Sequence, residues 1–400
     1  MATDSGNRLG FWRGMFYLLL AVGLILTILR YAKGLGSVTN LSDQTPWGLW
    51  IGFDLLCGVG LAAGGFVITA VVYIFNIERF RPIVRPTIIT AFLGYLLVIV
   101  ALLLDIGRPW AMWHPLVMWN PHSVMFEVSW CVMLYSTVLF LEFSGMIFEK
   151  VRWNRAAKVQ KAVTVPLVIA GVILSTLHQS SLGTVYLIVP GKLHALWYTP
   201  LLPVLFWVSS VGAGLAMVIV ESRISSRVFG RQLEMPLLSE IGRIMVAVWG
   251  LYAVLRIWDL NSRGMLGAAF GSGYEAHMFQ LAFFAFTILP VVLLTFPRVR
   301  TNGRALYGAA LLMVLGFITH RLNVGITGFE SAAGGIYIPS WGEVAISLML
   351  VALGFGAFGM AVKHLNVFPE EEKPVAEYGG ARNRIAALHP REEFVLPKGP

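Results

Sequence analysis

The 400-residue chain is 57% hydrophobic and only 13% charged, with a mean hydropathy of +0.74. A soluble domain of this length would carry roughly a quarter charged residues, so the composition excludes an ordinary water-soluble globule. The net charge of +9 would suggest a nucleic-acid partner in a soluble protein, but no nucleic-acid motif accompanies it. We expect no nucleic acid, and assign the charge to loops of a protein embedded in the lipid bilayer.

Taken in chain order, ten apolar stretches are each long enough to cross a bilayer. Their predicted bounds are 12–32, 48–75, 87–105, 122–148, 162–180, 200–222, 239–260, 275–297, 304–322 and 341–365. The predicted fold class is therefore an all-α polytopic membrane protein. Spans two to five (about 48–180) and six to nine (about 200–322) predict two four-helix bundles, which spans one and ten flank. Segments 1–11 and 366–400 are predicted to be an N-terminal segment and a C-terminal tail outside the bilayer.

The loops alternate in charge. Loops 76–86, 149–161, 222–238 and 298–304 hold 14 Lys and Arg residues, and the opposite loops hold 5. By the positive-inside rule both termini are cytoplasmic, and we predict a multi-pass protein of a bacterial inner membrane. We call these two sides the basic face and the tryptophan-rich face. The tryptophans of the second face are Trp47, Trp50, Trp110, Trp113, Trp119, Trp197 and Trp341, and we expect a partner protein there.

Ionisable side chains inside membrane spans are costly and are read first as functional. In the first predicted bundle such residues gather near the tryptophan-rich face: Asp54, Asp105, Arg108, His122, Glu127 and His178. The second predicted bundle has its own set there: Arg256, Asp259, Glu275, His277, His320, Arg321 and Glu343. Spacing of i,i+3 predicts ion pairs between Asp105 and Arg108 and between Arg256 and Asp259. Two deeper acids, Glu142 and Glu221, lie towards the basic face.

Glu127 has no cation close by in its own predicted helix, so we expect a partner across the bundle. A histidine or a glutamic acid can exchange protons near neutral pH once its surroundings favour it. Quinone chemistry needs such groups, together with hydrogen-bond donors to the quinone oxygens. The glycine-rich run 58–65 indicates close helix packing, or room for a flat ring. The two cysteines, Cys57 and Cys131, are too few for an iron–sulfur cluster, and we expect no metal in this chain.

Several motifs are similar to those of one known family. They are Pro-Trp-Gly-Leu-Trp-Ile-Gly-Phe-Asp at 46–54, Asn120 with Phe126 and Glu127, His-Gln-Ser-Ser-Leu-Gly at 178–183, and Pro-Ser-Trp-Gly-Glu at 339–343. With them, about residues 20–365 resemble the NrfD/PsrC family of polysulfide-reductase-type membrane subunits, and within it the hydrogenase-2 branch.

The resemblance implies a haem-free subunit that reacts with menaquinone and passes protons. It also implies a periplasmic ferredoxin-like iron–sulfur subunit and catalytic subunits, such as those of a [NiFe] hydrogenase, as partners. By position, the resemblance favours Asp54, Glu127 and His178 as quinone or proton-relay residues, and less directly Tyr95 and Glu221. To the quinone or relay set we add Gln179, and we predict a secondary proton path through Glu221 and Glu142.

Three alternatives to this reading stay open at the level of sequence. One is a subunit of another respiratory complex of the same family. The second is a b-type cytochrome with an outer haem, for which His178 and His320 are conceivable axial ligands. The third is a secondary transporter with buried acids as coupling sites.

Overall fold

The computed structural model describes residues 3–368, and the predicted tail from 369 onward lies outside them. Within this part of the chain the regular secondary structure is helical and contains no strand, which confirms the all-α class. Ten helices are long and apolar enough to cross a membrane. They are α1 Gly10–Lys33, α2 Trp50–Tyr73, α3 Glu78–Asp105, α4 Val124–Lys150, α5 Asn154–Ile188, α6 Leu202–Phe229, α7 Met235–Ser262, α8 Tyr274–Thr295, α9 Gly303–Ala333 and α10 Trp341–His364.

Shorter helical pieces occupy the connections. Single turns at Leu35–Ser37, Pro109–Ala111 and His114–Leu116 lie in the first two loops of the tryptophan-rich face. Leu266–Ala269 precedes α8, and Pro297–Thr301 connects α8 to α9 on the basic face. The helix of α1 itself already begins at Thr3, seven residues before its apolar part.

Several helices are longer than predicted, among them α3, α5 and α9. α3 starts near 78, α5 extends at both ends, and α9 continues about ten residues beyond its predicted end. The prediction ended α9 at 322 because polar residues follow, but those side chains are buried and bonded across the second bundle. α9 therefore passes through a π-helical stretch, Asn323–Thr327, and ends at Ala333.

Helix contacts form two closed rings of four. In the first, α2 packs on α3, α3 on α4, α4 on α5, and α5 returns to α2. In the second, α6 packs on α7, α7 on α8, α8 on α9, and α9 returns to α6. α1 lies along α10, and α10 packs on α3, so both flank the first ring. The two predicted four-helix bundles and their flanking helices are thus present.

The two bundles meet where α2 crosses α6. A Cβ on Gly214 would lie 2.3 Å from the backbone nitrogen of Gly64, so only glycine allows this approach. On another side of α2, a Cβ on Gly65 would lie 2.5 Å from the Cβ of Ala91 in α3. The glycine run predicted from sequence is therefore used for close helix packing, as small residues are in membranes.

α2 is irregular in two places. Its first turn and a half, Trp50–Leu55, is π-helical, and a turn at Ala62–Ala63 interrupts it near its middle. π-helical stretches inside α-helices occur frequently at functional sites. Here the π-helical turn carries Asp54, which it presents towards α10.

Candidate functional site

Five buried polar residues come together in the core of the first bundle, and we call them the first-bundle cluster. They are Tyr95 from α3, Tyr135 from α4, and Ser175, His178 and Gln179 from α5. The Tyr95 and Tyr135 rings meet edge to face with centroids 4.7 Å apart. The Tyr95 and His178 rings lie 5.7 Å apart. Two predicted site residues on one helix, His178 and Gln179, therefore reach a third, Tyr95, on another.

The polar atoms of this cluster lack well-formed hydrogen bonds within the described residues. Both tyrosine hydroxyls, the Ser175 hydroxyl, both imidazole nitrogens of His178 and both amide atoms of Gln179 are buried without a hydrogen bond of good geometry. The Tyr95 hydroxyl lies close to the Ser175 and Gln179 side chains, and the Tyr135 hydroxyl lies close to Ser175, so these groups interact weakly with one another. Buried polar groups are bonded in most proteins, so an unpaired group calls for a water, an ion or a ligand as explanation. Seven such atoms in one bundle core make the cluster a candidate binding site for a polar molecule or for ordered water.

Glu127 stands at the edge of this cluster, one turn into α4. Its Oε1 accepts a hydrogen bond of 2.6 Å from the Ser181 hydroxyl of α5. The Glu127 side chain is exposed at the bundle surface, whereas Ser181 is buried. The partner expected across the bundle is thus a serine and not a cation. Glu127 joins the surface near the tryptophan-rich face to the helix that carries His178.

One face of α4 is polar along its length. Glu127, Cys131, Tyr135 and Glu142 follow each other at intervals of four, four and seven residues, which places them on one side of a helix. Glu142 is 8% exposed and lies towards the basic face. The face therefore leads from the exposed Glu127, past the first-bundle cluster, to the buried carboxyl group of Glu142.

Asp54 lies apart from this cluster. Its Oδ2 accepts a 2.6 Å hydrogen bond from the Ser347 hydroxyl of α10, and no hydrogen bond or ring contact of the described residues joins it to Glu127 or His178. The structure thus groups Asp54 with the flanking helices.

The predicted pair of Asp105 and Arg108 is not formed by the described residues. Arg108 lies in the exposed loop after α3. The buried cation at the end of α3 is instead Arg30 of α1, whose Nε donates to the Leu104 carbonyl at 2.6 Å. The i,i+3 spacing failed here because α3 ends at Asp105, so Arg108 no longer follows on the same helical face.

Glu343 and Tyr337 join the last loop to the first on the tryptophan-rich face. Glu343 forms a capping box with Ser340 at the start of α10 and accepts the Asn40 N–H at 2.9 Å. The Tyr337 hydroxyl donates to the other oxygen of Glu343. Burial and this carboxylate raise the pKa of the Tyr337 hydroxyl, so tyrosine remains the donor.

Glu221 lies between the bundles on the side of the basic face. Its Oε2 accepts from the Thr90 hydroxyl at 2.8 Å, and its Oε1 is buried without a partner in the described chain. Both residues line a small cavity beside the interruption of α2, about large enough for one water molecule. Glu221 and Glu142 therefore occupy two separate places, one between the bundles and one within the first.

The second bundle contains a network in which two arginines share one aspartate. Arg256 Nη1 lies 3.4 Å from Asp259 Oδ2, and Arg263 Nη2 approaches the same oxygen at 2.6 Å. The Thr199 hydroxyl donates to Asp259 Oδ1 at 2.5 Å. The second predicted ion pair is thus formed, as part of a buried network that also holds the loop before α6.

His178 and His320 lie in different bundles. The His178 ring packs on Tyr95, and the His320 ring packs on Tyr252 and Phe206, with no ring contact between the two histidines in the described residues. A haem held by two histidines needs both imidazoles on one iron. These residues therefore do not fit a shared axial pair. The described residues also contain no group of three or more His, Cys, Asp or Glu side chains arranged for a metal ion.

Tyr135, Ser175, Ser181 and Ser347 were missed by sequence reasoning. Helical spacing could have found the first two: Tyr135 lies eight residues after Glu127, and Ser175 lies three before His178. Ser181 was seen as part of a polar segment but not as the partner of Glu127. Ser347 has no signal of its own, since its contact depends on how α10 packs against α2.

Comparison with known proteins identifies a family whose profile matches this chain. Residues 37–333 match the family profile described as polysulphide reductase, NrfD, which covers more than half of the chain. A protein of Nitratidesulfovibrio vulgaris is 40% identical over 84% of this chain and 88% of its own. The probable Ni/Fe-hydrogenase 2 b-type cytochrome subunit of Escherichia coli is 31% identical, over 88% of this chain and 91% of its own. The menaquinone reductase integral membrane subunit of N. vulgaris is 29% identical, over 92% and 94%.

Proposed function

Because the chain belongs to the NrfD family, we propose that it is the quinone-reactive membrane subunit of an oxidoreductase complex. It passes electrons from an iron–sulfur partner to menaquinone and supplies the protons that the reduction consumes. The observation that carries the proposal is the first-bundle cluster, with seven buried unpaired polar atoms beside the surface carboxyl group of Glu127.

The cluster has the donors that a quinone head group requires. A quinone presents two carbonyl oxygens, and the hydroxyls of Tyr95 and Tyr135, the His178 ring and the Gln179 amide all offer N–H or O–H groups. In this structure the cluster is closed, with Tyr95 and His178 both 0% exposed. We therefore place entry of the head group at the Glu127 edge, because the Glu127 side chain is exposed at the bundle surface.

Reduction of menaquinone to menaquinol takes two electrons and two protons. The electrons come from the iron–sulfur partner, because the two cysteines of this chain are too few to hold a cluster. We assign proton delivery to Glu127 and His178, and positioning of the quinone oxygens to Tyr95 and Gln179. Asp54, bonded to Ser347 of α10, serves as a relay towards the tryptophan-rich face.

Two buried acids could resupply protons from the basic face. Glu142 lies on the polar face of α4, and Glu221 borders a water-sized cavity between the bundles. Uptake through either acid would make turnover electrogenic if the basic face is cytoplasmic, as the distribution of Lys and Arg favours. The same rule puts both termini in the cytoplasm of a bacterium and the tryptophan-rich face at the periplasm.

The exposed tryptophans support a docking site for the partner. The loop between α3 and α4 exposes Trp110, Trp113 and Trp119 by 71%, 54% and 65%. Aromatic residues are enriched in the cores of protein interfaces. We propose that the periplasmic iron–sulfur subunit covers this loop, and that the catalytic subunits are those of a [NiFe] hydrogenase, as in the name of the E. coli relative. Another respiratory complex is the second candidate, supported by the menaquinone reductase relative.

The test is purification of the tagged chain in mild detergent, with identification of its partners and an optical spectrum of the same sample. We expect an iron–sulfur subunit with hydrogenase subunits, no haem bands, and reduction of a menaquinone analogue by hydrogen. Another catalytic subunit with the same iron–sulfur protein would retain the quinone role and replace hydrogenase. Haem bands, or a chain that purifies alone and does not bind quinone, would overturn the proposal.

A further inference from the structure

The connection between α4 and α5 concentrates positive charge on the basic face. It holds five Lys and Arg residues, whereas each of the three other predicted loops of that face holds three. The five are Lys150, Arg152, Arg155, Lys158 and Lys161, and all are exposed. Lys161 lies 3.8 Å from a Glu149 oxygen, but the other four make no ion pair or hydrogen bond through their side chains with the described residues.

The arginines of the neighbouring loop 76–86 are arranged differently. Each has a carboxylate partner within the described chain, at 2.6 to 3.8 Å. The pairs are Arg79 with Glu240, Arg81 with Glu78 and Arg85 with Glu149. Two of the unpaired cations, Arg155 and Lys158, also lie in the first turns of α5, where the positive end of the helix dipole makes a further cation unfavourable. The α4–α5 connection thus offers charge to an anion that the protein itself does not supply.

Apolar side chains stand among these cations. Val151 and Trp153 are 66% and 59% exposed. The Trp153 ring packs edge to face on Phe148 at the end of α4, with centroids 5.5 Å apart, and its indole N–H has no acceptor in the described chain. Tryptophan is enriched at the headgroup level of membranes, where its ring meets lipid and its N–H meets polar groups. This alternation of cations with exposed apolar residues indicates a surface that meets lipid headgroups.

The same side of α5 continues as an exposed apolar stripe, which we call the α5 stripe. Its residues follow Arg155 at helical spacing. They are Val159, Val163, Ile169, Ile173 and Leu177, with exposures of 64%, 40%, 44%, 54% and 45%. From Val159 to Leu177 the stripe is roughly 27 Å long, close to the thickness of the hydrocarbon core. Unpaired cations therefore lie at one end of an apolar surface about as long as a bilayer core, the arrangement that a phospholipid with a charged headgroup fits.

We propose that the end of α4 and the start of α5 bind an anionic phospholipid. Its phosphate lies among Arg152, Arg155 and Lys158, it accepts the Trp153 N–H, and its acyl chains lie along the α5 stripe. Arginine presents a planar fork of N–H donors that matches a phosphate. A zwitterionic lipid brings its own cation and gains less from this site. The α5 stripe faces away from the first-bundle cluster, so this inference does not depend on the proposed quinone reaction.

The first test is thermal unfolding of the full-length protein in mild detergent with added phosphatidylglycerol, phosphatidylcholine or inorganic phosphate. We expect a saturable rise of the unfolding midpoint with phosphatidylglycerol alone, because a ligand that binds only the folded state stabilises it. An equal rise with phosphatidylcholine would show that the charge is not recognised. The same rise with inorganic phosphate would show that no lipid is needed. Either result would overturn the proposal.

A double variant tests the cations themselves. Arg155→Gln with Lys158→Gln should raise the phosphatidylglycerol concentration that gives half of the rise by about 30-fold, since each charge near the surface adds to the attraction of an anionic lipid. Arg79→Gln with Arg81→Gln is the matched control. It removes the same charge from the same face, but from cations that carboxylates already hold, and should leave that concentration unchanged. Equal shifts in the two double variants would mean that net charge, and not this site, attracts the lipid.

The last test uses the unaltered protein, so it does not depend on a variant that folds. In nanodiscs that contain phosphatidylglycerol, an electron cryo-microscopy map should show phosphate density within hydrogen-bond distance of Arg155 and the Trp153 N–H. An acidic segment of another protein at this place, or no density there, would overturn the lipid site.

Discussion

The two bundles carry the same pair of rings in the same pair of helices. Tyr95 and His178 come from the second and fourth helices of the first ring, with centroids 5.7 Å apart. Tyr252 and His320 come from the second and fourth helices of the second ring, 5.9 Å apart. The charges around them differ: Glu127 and Glu142 flank the first pair along α4, whereas arginines surround the second. The same pair of rings thus lies beside carboxyl groups in one bundle and beside guanidinium groups in the other.

The largest effect on quinone reduction should come from removing the carboxyl group of Glu127. The Tyr95–His178 pair needs this group for proton exchange, whereas the Tyr252–His320 pair does not. Glu127→Gln retains the size of the side chain but cannot exchange a proton, and general acid–base catalysis contributes about 100-fold or more. We expect menaquinone-analogue reduction by the purified complex to fall by about that factor. Glu275, in the first turn of α8, is the corresponding acid of the second bundle, and Glu275→Gln should change the rate less than about twofold.

Equal losses in the two glutamine variants would remove the distinction between the bundles. Retained activity in Glu127→Gln would remove the proton-transfer role of Glu127. Both variants should be compared at matched amounts of co-purified partner, so that a loss of assembly is not taken for a loss of chemistry.

The next largest effect should come from disrupting the contact between the two bundles. Gly214→Ala places a methyl group 2.3 Å from the Gly64 nitrogen, and overpacking of this kind costs about 1–3 kcal/mol of unfolding free energy. We expect a lower unfolding midpoint in detergent. Gly308→Ala in α9 meets nothing within 4 Å and should leave the midpoint unchanged or raise it, since alanine favours helix over glycine. An unchanged unfolding midpoint in both variants would mean that the close approach of α2 and α6 does not contribute to stability.

Removing the tyrosine hydroxyl from each ring pair in turn compares the two bundles directly. Tyr95→Phe removes an unpaired hydroxyl of the first-bundle cluster, and loss of one hydrogen bond of about 1.4 kcal/mol corresponds to a roughly tenfold slower quinone reduction. Tyr252→Phe should stay within about twofold. Rates measured at saturating and at low quinone separate a loss of turnover from a loss of binding. A larger effect in Tyr252→Phe would move the quinone site to the second bundle.

The fold was predictable because each span is one long apolar segment, and all ten were located from hydropathy. Ends were predicted poorly where polar residues continue inside a helix. α5 and α9 both run on past His178 and Arg321, because these side chains face a bundle core and not water. Composition along the chain indicates that a residue is polar, but does not fix the side to which it points.

The site was predictable in part for the same reason. Tyr95, His178 and Gln179 do meet, while Asp54 turns towards Ser347 of α10 because α2 begins with a π-helical stretch. That stretch shifts the rotation of the helix, and no sequence period reveals such a shift. The exposure of Glu127 and its bond to Ser181 likewise depend on how α4 packs on α5, which one sequence without its relatives does not fix.

The bond between Ser181 and Glu127 gives the smallest expected effect. Ser181→Ala removes the 2.6 Å donor of the carboxyl group but leaves the carboxyl group itself, so proton exchange continues from a less fixed position. A net hydrogen-bond contribution of about 0.5–1 kcal/mol predicts a roughly twofold to fivefold slower reduction. Thr184→Ala, one turn further on α5, removes only a bond to its own helix at the Ser180 carbonyl and should be silent. In the Glu127→Gln background Ser181→Ala should add nothing, because its effect acts through Glu127; additive losses would show that Ser181 acts on the quinone by itself.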